Sequence, residues 1–228
     1  MKKTLSTILI ILGILLIVSP YINNQIIENR VNVSREVVEE VTAEVIEENT
    51  QAQEEAVYDY EAVKDVEIAS TITEAIKTKK EVINKNVIGQ IIIEDLNIDL
   101  PILKGVSGSS LLMGAGTMKP NLEMGKGNYS LAGHYSKNNK LFGGLLNIEK
   151  GTIVKITNKK LIYEYEIYDI QIVPDTSLYM LDDSRAEKRG KPIISLMTCY
   201  YTSKNGKRFF ALGELVDVYP YDENIIIN

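Results

Sequence analysis

The rarest residue types exclude several kinds of protein. The 228-residue chain contains no tryptophan, one cysteine and one histidine. A single cysteine cannot form a disulfide within the chain, so the fold does not depend on that kind of cross-link. Structural zinc sites take about four Cys, His or acidic ligands in a tetrahedral array, and one Cys with one His does not supply them. We therefore expect neither a metal nor a cofactor.

The chain also lacks an excess of basic residues. It has 25 Lys and Arg against 31 Asp and Glu, which gives a formal net charge of −6. A nucleic-acid-binding domain presents a basic face, so this balance argues against a nucleic-acid partner. Hydrophobic residues make up 45% of the sequence, which is enough for a packed core. Length and composition fit one ordinary domain with accessory segments.

The first segment is predicted to span a membrane. Lys2 and Lys3 precede an apolar run from Leu5 to Ile22, and about 18 apolar residues lie near the lower limit for crossing a bilayer. The two lysines favour a cytoplasmic N-terminus, with the rest of the chain outside the cell membrane. The alternative is a cleaved signal peptide, but Ser19-Pro20-Tyr21 fits a small-x-small cleavage site poorly. We expect residues 1–22 to form an uncleaved single-pass anchor.

An acidic stretch, residues 23–86, follows the anchor. Between Glu36 and Glu67 it carries twelve acidic residues and a single lysine. Val37, Val41 and Val45 recur at helical spacing, so part of the stretch is predicted to be helical. Its charge is typical of a solvated spacer that repels itself and extends, which would hold the downstream domain away from the membrane. A partner-binding role is the alternative.

From Val87 onward the pattern becomes β-rich. Runs of β-branched and aromatic residues alternate with Gly, Asn and Pro turn signals, as in a barrel or a sandwich. The predicted strands are 87–93, 128–132, 151–156, 161–173, 192–199 and 209–218. Short helices are expected near 109–112 and 141–146. We assign residues 87–221 to one mainly β domain and residues 222–228 to a C-terminal tail.

Three residues suited to nucleophilic catalysis lie at predicted strand ends. Cys199 ends one strand and Arg208 begins the next, with the turn signal Asn205-Gly206 between them. If these strands pair as a hairpin, the guanidinium would favour a thiolate and could stabilise charge on a substrate carbonyl oxygen. His134, after another strand, could carry the proton that acyl transfer requires. Each residue also has a structural interpretation: a buried cysteine packs as a small hydrophobe, and single histidines and arginines are often ordinary surface groups.

At these residues the sequence resembles the sortase family. Leu131-Ala132-Gly133-His134 is similar to the family's strand with the catalytic histidine, and Ser195-Leu196-Met197-Thr198-Cys199 is similar to its TLxTC signature. Arg208 follows at a suitable distance, and residues 87–102 resemble the family's opening strands. The motifs occur in the family's order over residues 87–218. The N-terminal anchor and the short loop after the cysteine look most like class A.

This resemblance implies a closed eight-stranded β-barrel with a few short helices and a two-step transpeptidation. Cys199 would attack the Thr–Gly bond of an LPxTG-type sorting signal and form a thioacyl enzyme. His134 would act as general acid and base, and Arg208 would bind substrate and stabilise the oxyanion. An amine of a peptidoglycan precursor would then release the product, which joins a surface protein to the cell wall. By motif position, the sorting-signal groove would be lined by Ala132, Ser195, Met197 and Thr198, the last near the oxyanion.

Two departures from the family pattern affect these expectations. Ser195 replaces the first Thr of the signature and keeps its hydroxyl. Some class A members bind calcium through an acidic cluster before the histidine strand, whereas residues 116–127 of this chain offer only Glu123 beside Lys119 and Lys126. We therefore predict that the activity does not require calcium.

Two other functions stay open from the sequence. An exported cysteine hydrolase would use the same His–Cys pair and release its product to water, although papain-like enzymes place Cys before His along the chain. A membrane-tethered β-domain that binds a wall or protein ligand would need no chemistry at Cys199. Amine-dependent product formation separates a transpeptidase from the hydrolase, and activity that survives Cys199→Ala would favour the binding domain.

Overall fold

The structure is a computed structural model in which residues 2–52, 56–60, 63 and 84–222 are described. Its eight strands are β1 (Val87–Ile93), β2 (Ile98–Leu103), β3 (Ala115–Thr117), β4 (Asn128–Ala132), β5 (Ile153–Thr157), β6 (Leu161–Pro174), β7 (Ile193–Cys199) and β8 (Lys207–Pro220). They close into a barrel in the order β1-β2-β3-β4-β7-β8-β6-β5. The mainly β prediction is confirmed, and the barrel is the correct choice of the two architectures that the strand pattern allowed.

Strand β7 is the middle strand of the β4–β7–β8 part of the barrel wall, and Cys199 is its last residue. It pairs in parallel with β4 and antiparallel with β8. All seven of its residues are buried, which fits a strand covered on both faces. The strand pattern missed β2, whose run contains Pro101, and β3, whose three residues are too few to show an alternation. Only the resemblance of residues 87–102 to the family's opening strands pointed to β2.

Apolar side chains from all eight strands fill the barrel interior. Successive residues of a strand point to opposite faces, so alternate positions contribute. This inner layer includes Ile91, Leu100, Ala115, Leu131, Ile156, Tyr165, Leu196 and Ala211, all of which are buried. Residues outside the strands complete the inner layer, among them Ile27 and Val31 of the N-terminal helix and Phe142 and Leu145 of a connection.

A second apolar cluster lies on the outside of the β4–β7–β8 wall. The strands supply Ala132, Met197, Phe210 and Leu212, which alternate with residues of the inner layer. Segments outside the strands cover them, and these contribute Tyr60, Val63, Val106, Leu111, Met118, Met180 and Leu181. We call this set the outer layer.

Short helices lie in the connections between the strands, and the sequence predicted two of them. Helix α3 (Gly108–Met113) begins after Ser107, whose hydroxyl accepts a hydrogen bond from the Ser110 backbone N–H at 3.1 Å. A 3₁₀ turn spans Gly143–Asn147. In the β6–β7 connection, a 3₁₀ turn (Leu178–Leu181) precedes helix α4 (Ser184–Arg189) and lies against the outer layer.

The N-terminal helix α1 (Lys2–Glu40) is a candidate membrane span. An 18-residue window in it has a mean hydropathy of 2.5, and none of that window is buried against the rest of the protein. Among the described residues it is the one helix long and apolar enough to cross a membrane. Its length and composition suggest membrane anchoring.

Beyond the apolar run, the structure differs from the expectation of an extended spacer. The second half of α1 and helix α2 (Ala43–Gln51) pack on the barrel, with Val37, Val41 and Ile46 against Val87 and neighbouring residues. Most acidic side chains of both helices are exposed, and Glu28 and Glu47 form ion pairs with Lys140 and Lys160 of the barrel domain. Because the valines recur at helical spacing, burying one face does not bury the charges. These helices therefore lie against the barrel, and the role of holding the barrel away from the membrane stays a prediction.

The remaining boundary predictions are only partly covered by the described residues. Most of the stretch between α2 and β1 lies outside them, as do residues 223–228 of the predicted tail. The bounds of the anchor, the spacer and the β domain accordingly stay predictions.

Candidate active site

Cys199 and Arg208 face each other across the mouth of a hairpin. They are register partners at the end of the β7–β8 pairing, as the sequence predicted. The connection between them turns at Gly206, whose φ of 65° lies in the left-handed region that favours glycine. Asn205 steadies the loop by donating from its side-chain amide to the Tyr200 carbonyl at 2.6 Å. This hairpin brings a thiol and a guanidinium to one point.

His134 reaches the same end of the wall through strand β4. Ala132 is the register partner of Met197 in the parallel β4–β7 pair, and the Gly133 N–H donates to the Met197 carbonyl at 3.0 Å. Continuing this register by two residues brings His134 level with Cys199. The structure therefore gathers all three predicted catalytic residues at one end of three neighbouring strands.

The three candidate catalytic side chains are buried rather than solvated. Cys199 has no exposed surface, and 3% of Arg208 and 8% of His134 are exposed. The thiol of Cys199 donates to the Val63 carbonyl, with sulfur and oxygen 3.6 Å apart. The Arg208 guanidinium donates to the Lys207 carbonyl at 3.3 Å. A substrate can therefore reach these groups only after the residues that cover them move.

Of the four predicted groove residues, Ala132 and Met197 lie together, whereas the hydroxyls of Ser195 and Thr198 are hydrogen-bonded within the protein. Ala132 and Met197 are neighbours in the outer layer. The Ser195 hydroxyl donates to the Asn128 side-chain oxygen at 2.8 Å, and the Thr198 hydroxyl donates to the Gly133 carbonyl at 2.9 Å. Because both hydroxyls are buried and hydrogen-bonded within the protein, direct substrate contacts from them stay predictions.

Asn128 links strand β4 to the connection that covers the outer layer. Its side-chain amide donates to the Met180 carbonyl at 3.0 Å, and its backbone N–H donates to the Asp183 carboxylate at 2.8 Å. That N–H and the nearby Lys119 ammonium lower the pKa of Asp183 below its usual range. Sequence reasoning missed this network, because no motif marks an asparagine that bonds residues more than fifty positions away.

Tyr60 was also missed, and it lies in the outer layer together with Met197 and Val63. It is 7% exposed, and burial raises its pKa to about 12, an effect partly opposed by the positive charge of Arg208. The phenol is therefore neutral at physiological pH. No local signal distinguishes Tyr60 from the other aromatic residues of the stretch.

The residues that the structure describes contain no candidate metal site. Within residues 2–52, 56–60, 63 and 84–222, no group of three or more His, Cys, Asp or Glu side chains could hold a metal ion. Calcium independence stays a prediction.

Comparisons with known proteins all point to the same family. A family model described as "Sortase domain" matches residues 91–216. Sortase A of Listeria monocytogenes serovar 1/2a is 33% identical over 216 residues, which cover 94% of this chain and 91% of that protein. Sortase A of Streptococcus agalactiae serotype III is 34% identical over 201 residues, which cover 86% of this chain and 76% of that protein.

Solved structures share the architecture. The crystal structure of Listeria monocytogenes sortase A matches with a TM-score of 0.56 and 31% identity, over 61% of this chain and 94% of that one. Sortase C-3 of Streptococcus pneumoniae matches with a TM-score of 0.57 over 84% of this chain and 92% of that one, and at 22% identity it shows the shared fold alone.

Proposed function

This chain belongs to the sortase family and is a cysteine transpeptidase, and we propose that it cleaves an LPxTG-type sorting signal between Thr and Gly through a thioacyl enzyme on Cys199. The observation that carries the proposal is the strand register that brings Cys199, Arg208 and His134 to one end of the β4–β7–β8 wall. A nucleophile, a proton carrier and a cationic hydrogen-bond donor are the groups that acyl transfer needs.

In the first half-reaction the Cys199 thiolate attacks the carbonyl carbon of the threonine. Negative charge moves to the carbonyl oxygen, where the Arg208 guanidinium stabilises it. As the tetrahedral intermediate collapses, the C–N bond to glycine breaks and protonated His134 gives its proton to the leaving amine. The products are a thioacyl enzyme and a free glycine amine.

In the second half-reaction an amine of a peptidoglycan precursor attacks the thioester carbonyl. Neutral His134 accepts a proton from the incoming nitrogen, the C–S bond breaks, and the thiolate of Cys199 is restored. The surface protein is then joined to the wall precursor by an amide bond. The same histidine therefore serves as acid in one step and as base in the other.

The groove for the sorting signal is proposed to follow the outer layer. Ala132 and Met197 offer apolar contact beside the thiol, and they are buried together. We assign Ser195 and Thr198 to the same groove by motif position. Their present hydrogen bonds position the β4 and β7 strands, so any contact with substrate would be made through the backbone or after rearrangement.

The proposed location is the cell membrane, with the barrel outside. Residues 1–22 would be the anchor with a cytoplasmic N-terminus, residues 23–86 the connecting region, residues 87–221 the catalytic barrel and residues 222–228 a tail. The long apolar helix supports anchoring, and the two lysines at positions 2 and 3 support the orientation.

The function is tested with the full chain in detergent micelles, a small set of sorting peptides and several candidate amines. Mass spectrometry should detect a peptide–amine conjugate that requires both the amine and Cys199. Cys199→Ala should give no conjugate. Cleavage to the free acid at an unchanged rate without amine would favour a hydrolase, and peptide binding that survives Cys199→Ala without any cleavage by the wild type would favour a binding domain.

A further inference from the structure

Helix α1 joins the candidate membrane span to the barrel without a break. It runs from Lys2 to Glu40, and its apolar run ends at Ile22. Ile27 is only 2% exposed and packs in the inner layer of the barrel. The helix rises about 7.5 Å between Ile22 and Ile27. Little chain is therefore available to lift the barrel away from the membrane.

Two polar contacts fix the direction in which α1 crosses the barrel. The Glu28 carboxylate forms an ion pair with Lys140, with Oε1 and Nζ 3.4 Å apart. Further along the helix, Nε of Arg35 donates to the Asp99 carbonyl at 3.1 Å. The start of β1 packs against the last turns of α1 and against α2. The end of the barrel that carries Lys140 is therefore the end nearest the membrane.

This end of the barrel lies at the level of the lipid headgroups. The difference between the hydrocarbon core and the whole bilayer leaves roughly 5–8 Å of headgroups on each side. Glu28 lies about 9 Å along the helix from Ile22, and any tilt of the helix brings it closer to the bilayer. Tyr21 is 72% exposed at the same boundary, as is typical of aromatic residues at a membrane interface.

The membrane-proximal end is also the end at which the active site opens. Lys140 belongs to residues 135–140, which directly follow the candidate catalytic histidine. The Tyr135 ring meets the Tyr201 ring edge to face, with centroids 6.0 Å apart. Tyr201 belongs to residues 200–207, the connection between the cysteine and the arginine. We call these two segments together the rim.

The rim is basic although the chain as a whole is acidic. It contains four lysines and neither Asp nor Glu, in a chain with a net charge of −6. Lys140 is paired with α1. Lys137, Lys204 and Lys207 are exposed, and within the part of the chain that the structure describes they form no ion pair. Tyr201 beside them is 56% exposed. Exposed lysines with aromatic side chains suit an anionic lipid surface.

We propose that the rim rests on the outer surface of an anionic membrane, so that the active site opens at headgroup level. The inference rests on the proposed membrane anchor and holds whatever peptide is cleaved. It is the reverse of the distancing role that the acidic charge of residues 23–86 predicts, so one measurement decides between them. A substrate that is itself attached to the membrane would then meet the active site at a high effective concentration.

The depth of the rim is measured by fluorescence quenching with the full chain in lipid nanodiscs. Cys199→Ala removes the only cysteine, and one introduced cysteine then carries an NBD fluorophore. The quencher is a nitroxide on the lipid headgroup. Lys137→Cys labels the rim, and Lys188→Cys is the matched control, an exposed lysine of α4. Helix α4 precedes β7, so its height differs from that of the rim by about the 20 Å length of this strand.

The label at position 137 should be quenched severalfold more strongly than the label at position 188. Lys204→Cys, on the other rim segment, should match Lys137→Cys. Tyr21→Cys reports on the anchor itself and should be strongly quenched. Equal quenching at positions 137 and 188, with position 21 quenched, would overturn the proposal and leave the distancing role standing. Absence of quenching at position 21 would overturn the anchor and the proposal together.

Lipid charge tests the assigned partner. Quenching at position 137 should rise when anionic phosphatidylglycerol is added to phosphatidylcholine nanodiscs. Lys204→Glu should reduce the contact between rim and anionic membrane roughly fivefold or more, whereas Lys188→Glu should not. Quenching that ignores lipid charge and Lys204→Glu would overturn the anionic surface as the partner. These labelled variants lack Cys199 and see no substrate, so a failure of the proposed peptide cleavage in wild type is a separate result.

Discussion

The inner and outer layers of the barrel wall are both buried and apolar, yet they are built differently. The inner layer comes mainly from alternate residues of all eight strands, with further apolar residues from α1 and the connections. In the outer layer, strand residues form one side, and connections between strands together with Tyr60 and Val63 form the other. Cys199 and Arg208 follow the outer alternation, two residues beyond Met197 and two before Phe210. Closure of the barrel thus depends on the inner layer, while access to the chemistry depends on the outer one.

Substitutions in the two layers should therefore affect stability and activity differently. A change inside the barrel removes packing that has no substitute, so stability should fall first. A change on the outer face alters a surface from which the covering segments must move away when substrate binds. Four predictions test that division, beginning with the largest expected effect.

Arg208→Ala should lower kcat/KM for a sorting peptide by about 10²–10³-fold, the usual cost of losing one oxyanion-stabilising donor. Arg208→Lys should restore little, because an ammonium lacks the planar fork of a guanidinium. Steady-state kinetics gives the ratio, and the adjacent exposed Lys207→Ala serves as control. A comparable loss in Lys207→Ala would show that general positive charge matters rather than this guanidinium.

Leu196 and Met197 are neighbours on β7 that face the inner and outer layers respectively. Leu196→Ala should reduce the free energy of unfolding by about 2–5 kcal/mol, through lost burial and a cavity, while KM of the folded enzyme stays unchanged. Met197→Ala should change KM for the sorting peptide. Urea denaturation and peptide kinetics measure the two quantities, and an unchanged KM in Met197→Ala would break the proposed division.

Asn128→Ala should reduce the free energy of unfolding by about 1–3 kcal/mol, because the buried Ser195 hydroxyl and the Met180 carbonyl each lose a partner. The exposed Asn147→Ala is the control and should change little. Activity should fall along with stability, since the β6–β7 connection covers the outer layer. Denaturant titration is the measurement, and wild-type stability in Asn128→Ala would show that water replaces the lost bonds.

Asp183 should give the smallest effect, a weak dependence of stability on pH. Its folded pKa is lowered from 3.8 by the Asn128 N–H and by Lys119. A lowered folded pKa contributes stability that is present above the unfolded pKa and is lost as pH falls through the folded one. The carboxyl is largely exposed, so the contribution is small. Unfolding midpoints between about pH 6 and pH 2 should fall less steeply in Asp183→Asn than in the wild type, and parallel curves would contradict this.

Much of the barrel could be predicted from local pattern. The alternation that marks β7 also assigns Leu196 and Met197 to opposite faces, and the paired β7–β8 ends were expected from the turn signal at Asn205-Gly206. The pattern missed strand β3 because it has only three residues, and it missed β2 because Pro101 lies within the run. The packing of α1 and α2 on the barrel was not predicted, because the acidic charge suggested solvent on all sides whereas their valine and isoleucine side chains are buried against the barrel.

By itself, the sequence determined the apolar N-terminal helix, the β-rich domain and the three residues suited to acyl transfer. Each of these depends on neighbouring residues, whose spacing and chemistry can be seen along the chain. Only the tertiary structure decided that Val63 meets Cys199, 136 positions away, and that Asn128 holds the Ser195 hydroxyl. Such contacts depend on how the closed barrel brings distant segments to one surface, and no local pattern encodes that meeting.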